Sequence, residues 1–407
     1  MKLVKLSLIA AMATGIMATT ASATPLDEVI KDVDVSGYTR LRYTNDSEET
    51  KIDGTTVGKT HGSAWNFKGE LNLKTKIDDN FFAVVGIRYL DEDSGETHST
   101  SNSDRDNDRV DDFDLHRAYF GYTVGNTVVQ VGRQDVGAFF TADMYGDGIK
   151  VLNSDIEGLT LAALWMDSLE RDTDIGTKDL VVNKKHTTDH NLYGVAAIGS
   201  YDPVSFQVWY AVLDDVTDLF AVELATSFDV TDDVNLNAKA QYGFSNFDSK
   251  FKKGLPAADD ADIYAIELGT ELFGVDFTAG YVDFSTKKDK TSLVAFEDNG
   301  KFIKPGEELF NYTLFNGENN YWFVTAGYTI PDTGLRFGVD YLDGKTKTKQ
   351  SAGTEVFKKD SKEVVARIEY AHSDKLKFQT WYSYVEEKAE GWKKENDRVR
   401  FEAKYSF

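Results

Sequence analysis

The sequence has no cysteine and only five prolines in 407 residues. Without cysteine, disulfide bonds, thiol chemistry and cysteine-ligated metals are excluded. The scarcity of proline fits a chain built from hydrogen-bonded strands, because proline cannot donate a backbone hydrogen bond in a sheet. Long apolar runs are also missing after the N-terminal segment, and a membrane helix needs about 20 apolar residues. We therefore expect no membrane helix in the mature protein.

The N-terminal segment is predicted to be a secretory signal peptide over residues 1–23. Lys2 and Lys5 precede an apolar run, and the letters ASA follow, ending at position 23. A basic region, an apolar region and an A-x-A cleavage site in this order are typical of export through the Sec pathway. The apolar run is too short for a membrane anchor.

The chain carries a strong excess of acidic side chains. Its formal net charge is −23, and removal of the two signal-peptide lysines leaves 43 basic and 68 acidic residues, a net charge of −25. Such a surface disfavours nucleic acid and anionic lipid as partners. Aromatic residues make up 13% of this otherwise polar sequence. An exported, polar and aromatic-rich chain is typical of a transmembrane β-barrel, in which lipid-facing and lumen-facing side chains alternate.

The last ten residues, RVRFEAKYSF, alternate strictly between polar and apolar side chains. Phe401, Tyr405 and Phe407 fall on the apolar face of an extended strand, and Arg398 and Arg400 fall on the opposite face. A tilted strand of this length crosses about 25 Å of hydrocarbon. The terminal aromatic strand resembles the C-terminal signal that the outer-membrane assembly machinery reads. We therefore interpret Phe401, Tyr405 and Phe407 as an assembly signal.

The same alternation recurs in eighteen segments, near 33–43, 63–77, 80–90, 112–124, 127–135, 147–153, 157–167, 190–200, 203–214, 218–228, 233–244, 262–272, 275–285, 320–330, 334–343, 362–372, 375–386 and 396–407. Very short links alternate with long polar links, chiefly 44–62, 91–111, 168–189, 245–261, 286–319 and 344–361. This pattern predicts an all-β fold: one transmembrane antiparallel β-barrel of 18 strands over residues 24–407. Short turns face the periplasm, long loops face the outside, and the last strand pairs with the first.

Several stretches resemble the Campylobacter-type major outer membrane protein family. They are TPLDEVIKDVDVSGYTRLRY (24–43), NSDIEGLTLAALWMDS (153–168), NLYGVAAIGSYD (191–202), PGEELF (305–310) and VARIEYAHSDKLKFQTWYSYV (365–385). The resemblance implies an abundant general porin of the cell outer membrane, in contact with lipid and lipopolysaccharide. It also implies an 18-stranded barrel, a homotrimer, and passage of small hydrophilic solutes with a preference for cations.

Basic residues on the predicted inner faces indicate a charged lumen. With the apolar face of each strand turned outward, Lys68, Lys239 and Lys377 point inward, and so do Arg40, Arg42, Arg88, Arg117, Arg336, Arg367, Arg398 and Arg400. Because the last strand closes onto the first, we expect most of these arginines on one arc, some of them paired with Glu369 or Glu402. The alternative is a set of ordinary solvated lumen residues.

The stretch QDVGAFFTADMYGDG (134–148) is predicted to fold into the lumen as a constriction loop. Two adjacent phenylalanines would gain nothing in an exposed loop, whereas inside the barrel they can pack on the wall. The residues assigned to the constriction are Asp135, Phe139, Phe140, Asp143 and Asp147. Acids on this loop opposite basic residues on the wall would create a transverse field. A plain extracellular loop is the alternative.

Metal binding is a further possibility in the acidic loops. Asp104, Asp106 and Asp108 have calcium-loop spacing, but Arg109 and Leu115 replace the glycine and glutamate that an EF-hand requires. A solvated acidic loop is the preferred interpretation of that stretch. A looser Ca²⁺ site is a second hypothesis, with the candidate ligands Asp143, Asp172, Asp174 and Glu297. No cofactor is required by either interpretation.

Enzymatic motifs are missing from the sequence. The six histidines show no HExxH spacing, and no GxSxG elbow or glycine-rich phosphate loop is found. The sequence therefore predicts a passive diffusion channel with weak cation selectivity and no enzymatic activity. The alternative is a surface scaffold whose loops bind host or phage partners. A scaffold of that kind has no use for an inward loop or a charged lumen.

Overall fold

The computed structural model describes residues 33–93, 110–141, 144–170, 175, 180–182, 185–231, 234–292, 302–310, 315–349 and 356–407. The predicted signal peptide lies outside these residues.

Eighteen strands dominate the described chain: β1 (Val33–Ile52), β2 (Thr55–Lys76), β3 (Phe81–Asp93), β4 (Val110–Val124), β5 (Thr127–Asp135), β6 (Tyr145–Asn153), β7 (Leu159–Leu169), β8 (Leu192–Tyr201), β9 (Val204–Leu213), β10 (Thr217–Thr231), β11 (Val234–Phe247), β12 (Ala261–Leu272), β13 (Val275–Ser285), β14 (Glu318–Thr329), β15 (Leu335–Lys349), β16 (Val356–Ala371), β17 (Leu376–Ala389) and β18 (Trp392–Ser406). Loop structure includes a small ladder of Val181–Val182 with Lys185–His186, a 3₁₀ turn at Thr187–Asp189 and a short helix at Ser249–Gly254. In the described part of the chain, no helix is both long enough and apolar enough to cross a membrane.

Each strand pairs antiparallel with its neighbours in the chain, and β18 pairs with β1 to close the sheet. At the closing point the Gly37 N–H donates to the Phe407 carbonyl over 3.1 Å, and the Phe407 N–H donates to the Gly37 carbonyl over 3.0 Å. Closure leaves no unpaired strand edge, as a sheet that spans a bilayer requires. The prediction of a closed 18-stranded antiparallel barrel is confirmed.

Side chains alternate between the two faces of the sheet, as β16 illustrates. Val364 and Ile368 are exposed on the outer face, whereas Glu363 and Val365 are fully buried on the inner face. The predicted assembly residues Phe401, Tyr405 and Phe407 are 37–43% exposed on the outer surface near the end of β18. Their position suits contact with lipid, and their role in assembly stays a prediction.

Two of the predicted loops, 44–62 and 344–361, are wrong, because paired strands continue into both. Residues 44–62 continue β1 and β2 as a paired ladder, and the hairpin turns at Asp53 and Gly54, which have φ values of 47° and 79°. An Asp-Gly pair with positive φ at both positions is the favoured two-residue hairpin turn. The polar composition of this stretch shows that the ladder projects into water. The strands still pair in water, because the hydrogen bonds between them join backbone groups and do not depend on the side chains. β15 and β16 likewise extend into the predicted loop 344–361.

Apolar side chains fill one side of the barrel interior. The cluster includes Met166 on β7, Trp209 on β9 and Phe323 on β14, each at most 3% exposed. It draws on β7 to β15 and on several segments that connect strands, chiefly 136–144 and 302–315. Seven of the described arginines lie on β16, β18, β1, β3 and β4, away from the cluster, and an eighth, Arg336, lies on β15, where the cluster ends. The barrel therefore has an apolar side and a charged side.

Candidate functional site

The eight arginines predicted to face the lumen lie on neighbouring strands. They occupy β15, β16, β18, β1, β3 and β4, as Arg336, Arg367, Arg398, Arg400, Arg40, Arg42, Arg88 and Arg117. Because β18 pairs with β1, the strands from β15 through β18 to β4 form one continuous stretch of wall. We call these eight arginines, with their acidic partners, the charged arc.

Seven of the eight arginines form ion pairs with carboxylates. Arg42 and Glu402 are 2.8 Å apart, Arg117 and Asp135 are 2.7 Å apart, and Arg336 and Asp276 are 2.5 Å apart. The full set of acidic partners is Asp46, Asp114, Asp135, Glu170, Asp276, Glu307, Glu308, Asp340, Glu369 and Glu402. Ten carboxylates therefore surround seven guanidinium groups.

Arg400 has different surroundings. Within the described chain its guanidinium lies 4.8 Å from the centre of the Trp381 ring, and its Nε donates to the Thr44 hydroxyl over 3.4 Å. A guanidinium over a tryptophan face is held by the ring quadrupole without losing its charge. Arg400 is therefore a strong positive charge in the arc.

The first inward loop, residues 136–141 with Met144, packs inside the barrel. Val136, Phe139, Phe140 and Met144 are at most 1% exposed. The Val136 N–H donates to the Met144 carbonyl over 2.9 Å. This hydrogen bond joins the two ends of the loop. Apolar burial explains why two adjacent phenylalanines occur between β5 and β6.

The base of this loop joins the charged arc. A register shift in β4 opposite Gly86 brings both His116 and Arg117 to the inner side, and His116 is fully buried. Arg117 donates two hydrogen bonds to Asp135, over 2.7 and 2.8 Å. The Tyr145 ring lies 5.4 Å from the Arg88 guanidinium and 5.6 Å from that of Arg117. The acid at the start of the loop therefore neutralises an arginine of the arc.

The other two acids assigned to the constriction differ from Asp135. Asp147 accepts a hydrogen bond from the Ser168 hydroxyl over 2.9 Å and pairs with Arg133 over 3.3 Å. Asp147 is thus engaged with β5 and β7 and not with the arginines predicted to face it. Asp143 lies outside the described residues.

A second inward segment, residues 302–310, was not foreseen from the sequence. We expected 286–319 to be an extracellular loop, but Phe302, Ile303 and Phe310 are at most 5% exposed inside the barrel. Glu307 pairs with Arg367, and Glu308 pairs with Arg398. Burial raises the pKa of the Glu308 carboxyl, and the charge of Arg398 opposes this rise. The sequence feature that could have indicated this inward segment is the group of apolar residues on both sides of the letters PGEE. Apolar residues in a loop favour burial, as the adjacent Phe139 and Phe140 do in the first inward loop.

The two inward segments touch each other. The rings of Phe139 and Phe302 meet edge to face with their centres 4.8 Å apart, a favourable aromatic geometry. Behind the second segment, against β12 to β16, lies a cavity of about 330 Å³ lined by Glu267, Arg336 and Glu369 among others. Both segments belong to the apolar cluster, and the second one also contacts the charged arc through Glu307 and Glu308.

The predicted calcium ligands cannot be placed. Asp143, Asp172, Asp174 and Glu297 all lie outside the described residues, as do Asp104, Asp106 and Asp108. Within the described ranges, no group of three or more His, Asp or Glu side chains is arranged to hold a metal ion. The calcium site stays a prediction.

Comparison with known protein families gives one match over the entire chain. The sequence model described as Campylobacter major outer membrane protein matches residues 1–407. A search among curated proteins found no match.

Solved structures with a similar fold come from two other bacteria. Pseudomonas aeruginosa OpdL superposes with a TM-score of 0.66 at 16% identity, over 92% of this chain and 99% of that one. Acinetobacter baumannii OccAB4 gives a TM-score of 0.65 at 16% identity, over 91% and 98%. Pseudomonas aeruginosa OpdK, solved with vanillate, gives 0.65 at 14% identity, over 91% and 98%. At these identities the similarity supports the fold alone.

Proposed function

The chain belongs to the Campylobacter major outer membrane protein family and forms a porin barrel of the outer membrane, and we propose that it is a passive diffusion channel for small hydrophilic solutes and ions with a weak preference for cations. Two features support this proposal. The inward segments would narrow a passage through the barrel, and the charged arc would line it with charged groups. The adhesin alternative makes no use of either feature.

The proposed cation preference is inferred from the numbers of acidic and basic groups in the charged arc. The arc holds ten carboxylates and eight arginines, seven of which are paired, so the arginines do not present an uncompensated basic wall. At 0.15 M salt the Debye length is about 8 Å, so charges at the narrowest part outweigh distant loop charges. At lower salt the acidic loops add to the effect by enriching cations at the entrance.

Reversal potentials in planar bilayers test this prediction. Under a salt gradient near ~0.1 M we expect a potential of the sign that cation selectivity produces, and it should grow as salt is lowered because screening weakens. Asp135→Asn should shift the potential toward anions, since Arg117 then loses its ion-pair partner.

The matched control is Asp360→Asn, which also removes one negative charge. Asp360 is 68% exposed at its side chain, and its distance to Lys345 is 3.8 Å, so its charge is largely screened. We expect it to keep the parent potential. Anion selectivity in the parent protein would show that the arginines dominate and that the proposed preference is wrong.

We also propose calcium binding by the loops, with Asp143, Asp172, Asp174 and Glu297 as ligands. Carboxylates from several loops can supply the oxygen ligands that Ca²⁺ prefers. Treatment with EGTA should lower the temperature at which the folded barrel loses its fast mobility in SDS gels. Asp143→Asn should remove this response, with Asp360→Asn as the control. The same melting temperature with and without EGTA would contradict the proposal.

The expected partners follow the family resemblance. The apolar outer face of the barrel supports contact with lipid, and an outer-membrane location adds lipopolysaccharide. We propose a homotrimer whose C-terminal strand is read by the assembly machinery. No enzymatic role is proposed.

A further inference from the structure

The second inward segment is fixed to the barrel wall through its backbone. Glu363 on β16 is fully buried, and its carboxylate accepts hydrogen bonds from the backbone N–H groups of Glu307, Glu308 and Leu309 over 2.9, 3.0 and 3.0 Å. The Ser383 hydroxyl adds a fourth bond over 2.7 Å. A buried carboxylate is costly unless such donors satisfy it. Four donors therefore make Glu363 a strong attachment point for the segment.

At Gly306 the backbone of the segment comes so close to the Glu363 carboxylate that a side chain would not fit. The φ of Gly306 is +77°, and a Cβ at this position would lie 2.4 Å from Oε2 of Glu363. Only glycine combines this backbone conformation with so close a contact. Successive backbone N–H groups that converge on one oxygen pair form an anion-binding concavity. Here the anion is a side chain of the barrel itself.

The backbone attachment leaves the side chains of the segment available for other contacts. Glu307 reaches Arg367, and Glu308 reaches Arg398. At the other end of the segment, the Ile303 N–H donates to Oε1 of Gln241 over 2.7 Å. Between these ends, the Gly306 N–H donates to Oδ2 of Asp340 over 3.3 Å, and the Gly306 carbonyl accepts from Arg367 over 3.3 Å. The segment is thus held at several places on the wall, with two acids turned toward the charged arc.

We propose that Glu363 is the positioning residue that holds the second inward segment in the lumen, and that Glu307 and Glu308 on this segment set the ion preference by neutralising Arg367 and Arg398. This inference rests on the proposed channel function. The two roles are separable, because the attachment uses backbone atoms of the segment and the ion preference uses its side chains.

The positioning role is tested with Glu363→Gln, which keeps the size of the side chain but removes its charge. A neutral amide accepts hydrogen bonds more weakly than a carboxylate. We expect the segment to leave the wall and the single-channel conductance to rise about twofold, since the narrowest part widens. Ser383→Ala removes one of the four bonds and should give a smaller rise. Asp360→Asn on the same strand should keep the parent conductance.

A labelling experiment measures the position of the segment independently of current. Lys304 is the exposed residue of the segment, and the native chain has no cysteine. Lys304→Cys should react slowly with a bulky maleimide on whole cells, because the segment lies inside the barrel. Adding Glu363→Gln should make labelling several times faster. Heat-modifiable mobility in SDS gels verifies that each variant forms a barrel.

The ion preference is tested with Glu307→Gln combined with Glu308→Gln. Both substitutions keep the backbone N–H groups that bind Glu363, so conductance and labelling at Lys304→Cys should match the parent. The reversal potential should shift toward anions, because Arg367 loses one partner and Arg398 loses another. Glu318→Gln with Asp360→Asn removes the same charge from acids near Lys288 and Lys345, at 3.2 and 3.8 Å. That control should keep the parent potential.

Separate outcomes overturn separate parts of this inference. A folded Glu363→Gln variant with parent conductance and slow labelling would show that Glu363 does not position the segment. An unchanged reversal potential in the Glu307 and Glu308 double variant would show that these acids do not set the preference. If Glu363→Gln fails to fold, Ser383→Ala with the labelling assay decides the first point. A parent protein that forms no channel would instead overturn the proposed function.

Discussion

Deletion of Phe407 is expected to lower the yield of folded barrel roughly tenfold, with unfolded chain accumulating in the periplasm. Phe407 exchanges two backbone hydrogen bonds with Gly37, over 3.0 and 3.1 Å, where the last strand meets the first. Its ring is 38% exposed on the outer face, beside Tyr405. The deletion therefore removes both a closing contact and a lipid-facing aromatic ring.

Two further variants separate these contributions. Phe407→Ser keeps the backbone hydrogen bonds and removes the ring, whereas Phe407→Tyr keeps both. If the aromatic ring is the assembly signal, the serine variant should fail as the deletion does and the tyrosine variant should assemble normally. The measurement is the amount of SDS-resistant, heat-modifiable barrel in outer-membrane fractions. Parent yields from the deletion would rule out an assembly role for this residue.

The strands and their closure could be predicted because their signal is local. Each strand shows its own two-residue alternation, and links such as Gly125-Asn126 and Phe273-Gly274 have the positive φ values expected of tight turns, at Gly125, Phe273 and Gly274. The polar ladder at 44–62 was missed because there both faces meet water. No apolar alternation marks such a strand, although its backbone pairs in the same way.

The charged arc could be predicted in part. Placing the arginines on one arc needed only strand order and closure. The expected pairing of basic residues with Glu369 and Glu402 is present, and the structure identifies the partners as Arg336 at 3.6 Å and Arg42 at 2.8 Å. These partners lie on adjacent strands. The pair of Arg398 with Glu308 joins residues 90 positions apart through an inward segment, and no sequence periodicity reports such a contact.

The inner position of Glu363 could be predicted from the sequence, but its partners could not. Alternation along β16 places Glu363 on the same face as Val365 and Arg367, so a buried acid could be expected there. Its partners are backbone N–H groups of a segment more than 50 positions away. Because almost every residue has a backbone N–H group, the sequence does not show which of these groups bind Glu363. The one sequence feature linked to this contact is Gly306, which permits the close approach.

Replacement of both Phe139 and Phe140 by serine is expected to raise single-channel conductance about twofold and to admit larger solutes. Both rings are at most 1% exposed, and Phe139 packs against Phe302 of the second inward segment. Loss of a buried phenylalanine costs about 3–5 kcal/mol, and each serine adds a hydroxyl to an apolar site. The first inward loop should then detach, while the strand ladder that forms the barrel stays paired.

The ion preference should change less than the conductance in this variant. Asp135 belongs to β5 and is bound to Arg117 by two hydrogen bonds, so it stays in the arc when the loop moves. The control replaces both phenylalanines by leucine, which keeps the site apolar and should preserve parent conductance. Liposome swelling with sugars of increasing size measures the exclusion limit. Parent conductance and an unchanged limit in the serine variant would mean that this loop does not narrow the passage, and the second inward segment alone would then have to form the constriction.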